Sequence, residues 1–161
     1  MDLAVQNYFR TVQGGLLNQV MYFGDIWPMY VVPVLALYAV SIKVLRPVKA
    51  IAAGMVLTGG LKLLVGRARP YQSPLNPFVF HPMAGLTSAF QSFPSGHATI
   101  ALAFAAAMSS RLKGRYRYTL YGLAGLTAVS RIYHDKHWLT DVVMGGVIGY
   151  LVGTYIREYL C

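Results

Sequence analysis

Apolar residues run through this chain in long stretches, broken by short turns rich in charge, glycine or proline. A bilayer core of about 30 Å takes roughly 20 apolar residues in helix. Five stretches meet that measure to within a few residues: Ile26 to Val44, Val48 to Gly66, Gly96 to Leu112, Tyr118 to Tyr133 and Leu139 to Ile156. None alternates with a period of two, and in lipid only helices or closed barrels satisfy their backbone groups. The pattern predicts an all-α integral membrane bundle of about five transmembrane helices, one domain over residues 1–161.

Ahead of the first span the pattern changes. Val5, Phe9, Val12, Leu16 and Val20 recur at helical spacing, with Gln6, Asn7, Arg10, Gln13 and Asn18 between them. This predicts an amphipathic helix over residues 2–22, lying in the membrane interface or packed on the bundle. The connection over residues 67–94 is much longer than the others. It holds Pro70, Pro74, Pro77 and Pro82, which exclude one continuous helix, and Tyr71, Phe78, Phe80, Phe90 and Phe93, which suit the headgroup region. A loop of this length is either a lid over a lipid headgroup or a passive interfacial connection. In the last span Gly145, Gly149 and Gly153 line one helix face, a pattern for close packing within the bundle or between protomers.

Composition agrees with a membrane chain. Only 12% of its residues are charged and mean hydropathy is +0.48, where soluble domains carry about 25% charged residues. The formal charge of +9 is spread among apolar runs instead of gathered on a polar domain. That argues for an anionic lipid or anionic substrate as partner and against nucleic acid. The single cysteine, Cys161, excludes an intramolecular disulfide, and Met1-Asp2-Leu3 lacks the basic start of a cleavable signal peptide.

Three short motifs carry the chemistry. They are Lys62-x6-Arg69-Pro70, then Pro94-Ser95-Gly96-His97, then Ser130-Arg131-x5-His137-x3-Asp141. Arg69 and Arg131 offer planar forks that match a phosphate, and Lys62 adds a point charge inside an apolar helix, where a charge is expensive. Ser95 suits an N-cap, and Gly96 lets a free helix-start amide approach an oxyanion. His137 and Asp141 are four apart, hence on one helix face, so the carboxylate is expected against one imidazole nitrogen with the other left to attack. His97 then serves as general acid to the departing oxygen. No cofactor and no metal is needed for this set. A rival reading gives His134, Asp135, His137 and Asp141 to a metal, but their spacing is loose and three cations would crowd it. His81 and His134 read as interfacial polar residues.

With alternating helices, all three motifs fall on one side of the membrane. The opposite face carries Lys43, Arg46, Lys49, Arg111, Lys113, Arg115, Arg117 and Arg157. The positive-inside rule therefore turns the motif face away from the cytoplasm, toward the periplasm for a bacterial inner membrane.

The three motifs, complete and in order over Lys62 to Asp141, resemble those of the type 2 phosphatidic acid phosphatase (PAP2) superfamily. These are integral-membrane lipid phosphate phosphatases related in core to vanadium haloperoxidases. The resemblance implies His137 as a nucleophile forming a phosphohistidine, Asp141 as its partner, and His97 as acid and then as base for water. It implies Lys62, Arg69, Ser95, Gly96 and Arg131 as the phosphate cradle, without a metal. Bacterial members commonly have six spanning helices, against five plus an interfacial helix here. Within the family, a basic rim of Arg10, Arg67 and Lys136 favours a large, multiply anionic lipid, with lipid A 1-phosphate expected first. Phosphatidylglycerophosphate, undecaprenyl pyrophosphate and phosphatidic acid follow. A silent lipid-binding sensor and an anion transporter are the readings from other classes, a phosphatase for soluble esters is a further option, and a homo-oligomer is a possible partner state.

Overall fold

The computed structural model describes residues 1–41, 45–85 and 87–159. Lys43 and Val44 from the expected first turn, and Cys161, lie outside the described residues. Among the described residues six α-helices follow one another: α1 (Asp2–Thr11), α2 (Gly15–Ser41), α3 (Arg46–Val65), α4 (Gly96–Met108), α5 (Gly114–Tyr133) and α6 (Leu139–Tyr159). Short 3-10 turns occupy Ser88–Phe90 and Ser109–Arg111. The described residues form no strand, only an isolated bridge between Arg67 and Phe80.

The core is built on α4. Its sequence supplies Ala98, Ala101, Ala103, Ala105, Ala106 and Ala107, all buried, and side chains this small let neighbouring backbones come close. Helices α6, α3, α5 and α2 all pack on it, α6 most extensively. The glycine stripe of α6 is what permits this. A Cβ at Gly145 would lie 2.4 Å from the Ser95 carbonyl oxygen, at Gly149 2.3 Å from that of Thr99, and at Gly153 2.5 Å from that of Ala103. The stripe therefore serves packing within the bundle. With 13 residues, α4 reaches only about 20 Å at 1.5 Å per residue, and the 3-10 turn after it carries the chain on.

Two helices among the described residues, α3 and α6, are long and apolar enough to cross a membrane, with mean hydropathies of 1.7 and 1.5. Met55, Val56, Leu57 and Leu64 on α3, and Val143, Val147 and Leu151 on α6, face outward. An apolar outer surface of this extent requires a cover, which a bilayer supplies.

The N-terminus differs from its expected form. The helix expected over 2–22 ends at Thr11, and α2 begins at Gly15, well before the expected start of the first span at Ile26. Gly14 and Gly15 both take positive φ, +144° and +49°, and break the helix where the apolar period ran on unbroken. Leu16 and Val20, expected on the face shared with Val5 and Phe9, are instead exposed on α2. The inward face of α1 is polar: Asp2 and Gln6 are buried, while Val5 and Phe9 rest on a cluster of Ala98, Ile132 and Val142. This helix is packed on the end of the bundle.

Candidate active site

The ends of α3 and α5 and the starts of α4 and α6 meet at one end of the bundle, and the long loop folds over them. At the end of α3, Gly66 sits in the left-handed region (φ +58°), its amide bonded to the Lys62 carbonyl at 3.0 Å. A Cβ there would strike the His81 carbonyl, so only glycine permits this turn. The loop is tied back by short backbone bonds: Ala68 donates to Val79, His81 to Gly66 and Arg69 to Ala89. Its inner edge is fixed by the Trp138 indole, which donates to the Ala68 carbonyl at 2.9 Å.

That edge places two cations side by side. Lys62 Nζ donates to the Gln91 carbonyl at 2.6 Å, and one Arg69 Nη reaches the same oxygen at 3.5 Å. The other Nη of Arg69 is 3.4 Å from the Lys136 carbonyl, one residue before His137, and its Nε donates to Ser88. Gly96, at the start of α4, faces the Lys62 side chain. His97 is half-buried and lies within the field of both Arg69 and Lys62. Ser95 occupies the N-cap position, but its hydroxyl makes no cap bond; it is buried with no partner among the described residues. Its backbone amide donates instead to the Asp141 carbonyl at 2.9 Å.

His137 and Asp141 are both buried and adjacent, yet the expected direct bond is absent. His137 Nδ1 is 3.8 Å from Asp141 Oδ2 and 2.6 Å from the Ser92 carbonyl oxygen. A carbonyl only accepts, so Nδ1 carries the proton and Nε2 keeps its lone pair. Burial pushes the His137 imidazole down to about 3, against the smaller opposing pull of Asp141, so the ring is neutral near pH 7. The Asp141 carboxylate is held by the Ser92 hydroxyl, by the Trp138 amide at 2.9 Å, and by Arg67 at 2.5 Å.

Arg131 is at the same end of the bundle, since its carbonyl accepts from the His137 amide. Its guanidinium, however, is paired with Asp25 on α2, and its Nε is buried without a partner among the described residues. The rim expected from Arg10, Arg67 and Lys136 is reduced to Lys136. Arg10 is tied to Asp135 at 3.1 Å, and Arg67 is buried among carboxylates. The same contacts, with Gln6 on Asp135, engage two ligands of the rival metal set, Asp135 and Asp141. His81 is exposed against Phe90, and His134 is half-buried with Nε2 unpaired among the described residues. Burial likewise lowers the His134 value. Sequence reasoning missed Ser92, Arg67 as a buried group, Asp2 and Asp25. No local spacing announces them, because each finds its partner across the fold.

A helical bundle with an apolar outer face, which gathers cations beside a neutral imidazole at one end, defines a membrane protein equipped to receive an anion. The chain belongs to the PAP2 superfamily, whose family model matches residues 43–160. It is 34% identical over 109 residues to a lipid A 1-phosphatase from Porphyromonas gingivalis, covering 63% of this chain and 21% of that protein. It is 39% identical over 95 residues to one from Rhizobium johnstonii, covering 58% and 38%. The match thus spans well under half the length of these relatives. Its fold matches the crystal structure of Aquifex aeolicus LpxE over 98% of this chain and 95% of that one, with TM-score 0.74 and 24% identity. It also matches a transmembrane PAP2 type phosphatidylglycerolphosphate phosphatase from Bacillus subtilis over 98% and 83%, with TM-score 0.77 and 21% identity.

Proposed function

We propose that this protein hydrolyses the phosphomonoester of a membrane lipid through a phosphohistidine, with lipid A 1-phosphate as its first substrate. The observation that carries the reaction is the Ser92 carbonyl on His137 Nδ1, which leaves a neutral imidazole with Nε2 unprotonated beside Lys62 and Arg69. In the reading, Lys62, Arg69, Arg131, the Ser95 hydroxyl and the Gly96 amide receive the phosphate oxygens. His137 Nε2 attacks phosphorus while the bond to the lipid oxygen breaks, and His97 supplies the proton that oxygen takes up. Water then attacks the phosphorus of the phosphohistidine, gives its proton to His97, and phosphate leaves with His137 restored.

The choice of substrate rests on the relatives named lipid A 1-phosphatases, at 34% and 39% identity. The rim of Arg10 and Arg67 no longer supports it, since both are engaged internally. The basic turns at the far ends of the helices favour a site opening to the periplasm from the bacterial inner membrane.

Phosphate release by purified protein in detergent plus EDTA tests this reading, with lipid A, phosphatidylglycerophosphate, phosphatidic acid and undecaprenyl pyrophosphate as substrates. Release from lipid A that survives EDTA and vanishes in His137→Ala is the expected result. Release that EDTA abolishes overturns the metal-free mechanism, and no release from any lipid overturns the phosphatase reading. A faster rate on another lipid overturns the substrate.

A further inference from the structure

Arg67 and Asp2 have no part in the phosphate chemistry above, yet with Asp141 they form a buried charge cluster in which every guanidinium nitrogen of Arg67 donates. Arg67 leaves the Gly66 turn pointing inward, 5% exposed, with its guanidinium 5.7 Å from the Trp138 ring centre and 5.8 Å from that of Phe80. Nε donates to the Pro77 carbonyl at 2.9 Å. One Nη donates to Asp141 at 2.5 Å and to the Thr140 hydroxyl at 2.6 Å. The other donates to Asp2 at 2.7 Å. Asp2 also accepts from the Thr140 amide at 3.0 Å and from its hydroxyl at 2.6 Å, so it caps the start of α6 from another helix. The Arg67 carbonyl accepts from the Ser92 amide at 3.0 Å, and Ser92 is the residue that touches both His137 and Asp141.

Two carboxylates share one guanidinium, so the cluster of Asp2, Arg67 and Asp141 carries one net negative charge. A lone Arg67–Asp141 pair would be neutral and would offer His137 little. With Asp2 taking half of the guanidinium, Asp141 keeps a charge to stabilise the imidazole as it becomes cationic on attack. We infer that Asp2 and Arg67 are positioning residues of this site: α1 reaches across the chain to complete the network that holds and charges Asp141 behind His137. The inference rests on the phosphatase reading of the site.

The test uses the full chain and its preferred lipid, with kcat, KM and melting temperature measured together. Asp2→Asn keeps the shape and removes one charge; it should lower kcat about tenfold or more with KM within about twofold and the melting temperature little changed. Asp2→Glu, which keeps the charge, should recover most of the rate. Wild-type kcat in Asp2→Asn overturns the inference, as does a raised KM with kcat intact, which would make Asp2 a substrate contact. If Asp2→Asn fails to fold, Asp2→Ser decides by the same split, because it also removes the charge and keeps an oxygen beside Thr140. A wild-type protein with no phosphatase activity would defeat the underlying reading instead, so the two failures are distinguishable.

Discussion

His137 and Asp141 are four residues apart and adjacent in the fold, but Ser92 stands between them. Its carbonyl accepts a hydrogen bond from the imidazole N–H and its hydroxyl donates to the carboxylate. The carboxylate thus acts on the ring across 3.8 Å, as a charge and through Ser92, instead of as a hydrogen-bond partner. In this arrangement the tautomer of His137 is set by a backbone atom, which no side-chain substitution removes.

It follows that Ser92→Ala and His137→Ala should differ in kind. Loss of His137 should abolish turnover. Loss of the Ser92 hydroxyl keeps the tautomer but leaves a buried carboxylate oxygen one donor short, worth about 1–3 kcal/mol. Activity should fall roughly tenfold, at 1.36 kcal/mol per factor of ten, and phosphoenzyme should still form. Steady-state rates with acid-quench trapping of the labelled intermediate check both points; an equal loss in the two variants would place Ser92 in the chemistry itself.

The buried imidazole also fixes how stability depends on pH. His137 titrates near 6.5 in the unfolded chain and, through burial, at about 3 in the fold. The unfolded state therefore binds the extra proton first, so stability is complete above about pH 6.5 and declines as pH falls toward 3. His134, lowered for the same reason, adds to the slope. Melting temperatures across this range should fall with acid in the wild type and fall less in His137→Asn. Parallel curves would show that His137 is not held neutral.

Arg131 offers a separate test of the phosphate cradle. Its guanidinium is 7% exposed and relies on Asp25 for its charge balance. Breaking a buried pair by removing one partner costs about 3–5 kcal/mol; Asp25→Ala should fall below that range, because Asp25 is 22% exposed and partly screened by solvent. Inorganic phosphate should then raise the melting temperature of Asp25→Ala more than that of the wild type, as it takes the place of the carboxylate. An equal rise in both would remove Arg131 from the cradle.

What could be read from the chain and what could not divide along a physical line. Helices α3 to α6 were legible because each is an apolar run closed by charge, glycine or proline. Their ends bring the three motifs to one place, as connectivity requires, but the Gln91 carbonyl where Lys62 and Arg69 meet is a loop backbone atom that no motif marks. The Gly14–Gly15 break was hidden by an apolar period that continues through it. Arg67 read as a rim cation because its partners, Asp2 and Asp141, lie 65 and 74 residues away. Ser92 acts on His137 through its carbonyl, a group every residue has, so no motif could mark it.

The packing of α6 on α4 yields a paired prediction that needs no assay of activity. At Gly149 a Cβ would sit 2.3 Å from the Thr99 carbonyl oxygen, a backbone atom of a buried helix with no room to give. Gly149→Ala should force the helices apart and cost about 1–3 kcal/mol or more, the usual toll of overpacking. Gly125 lies in the middle of α5 with nothing within 4 Å of its would-be Cβ. There Gly125→Ala relieves the entropy of a helical glycine and should stabilise by about 0.5–1 kcal/mol. Thermal unfolding of the two variants in one detergent reads the contrast directly. If Gly149→Ala melted with the wild type, α4 and α6 would not be in backbone contact, and the anchoring of Ser95 against Asp141 would fail with them.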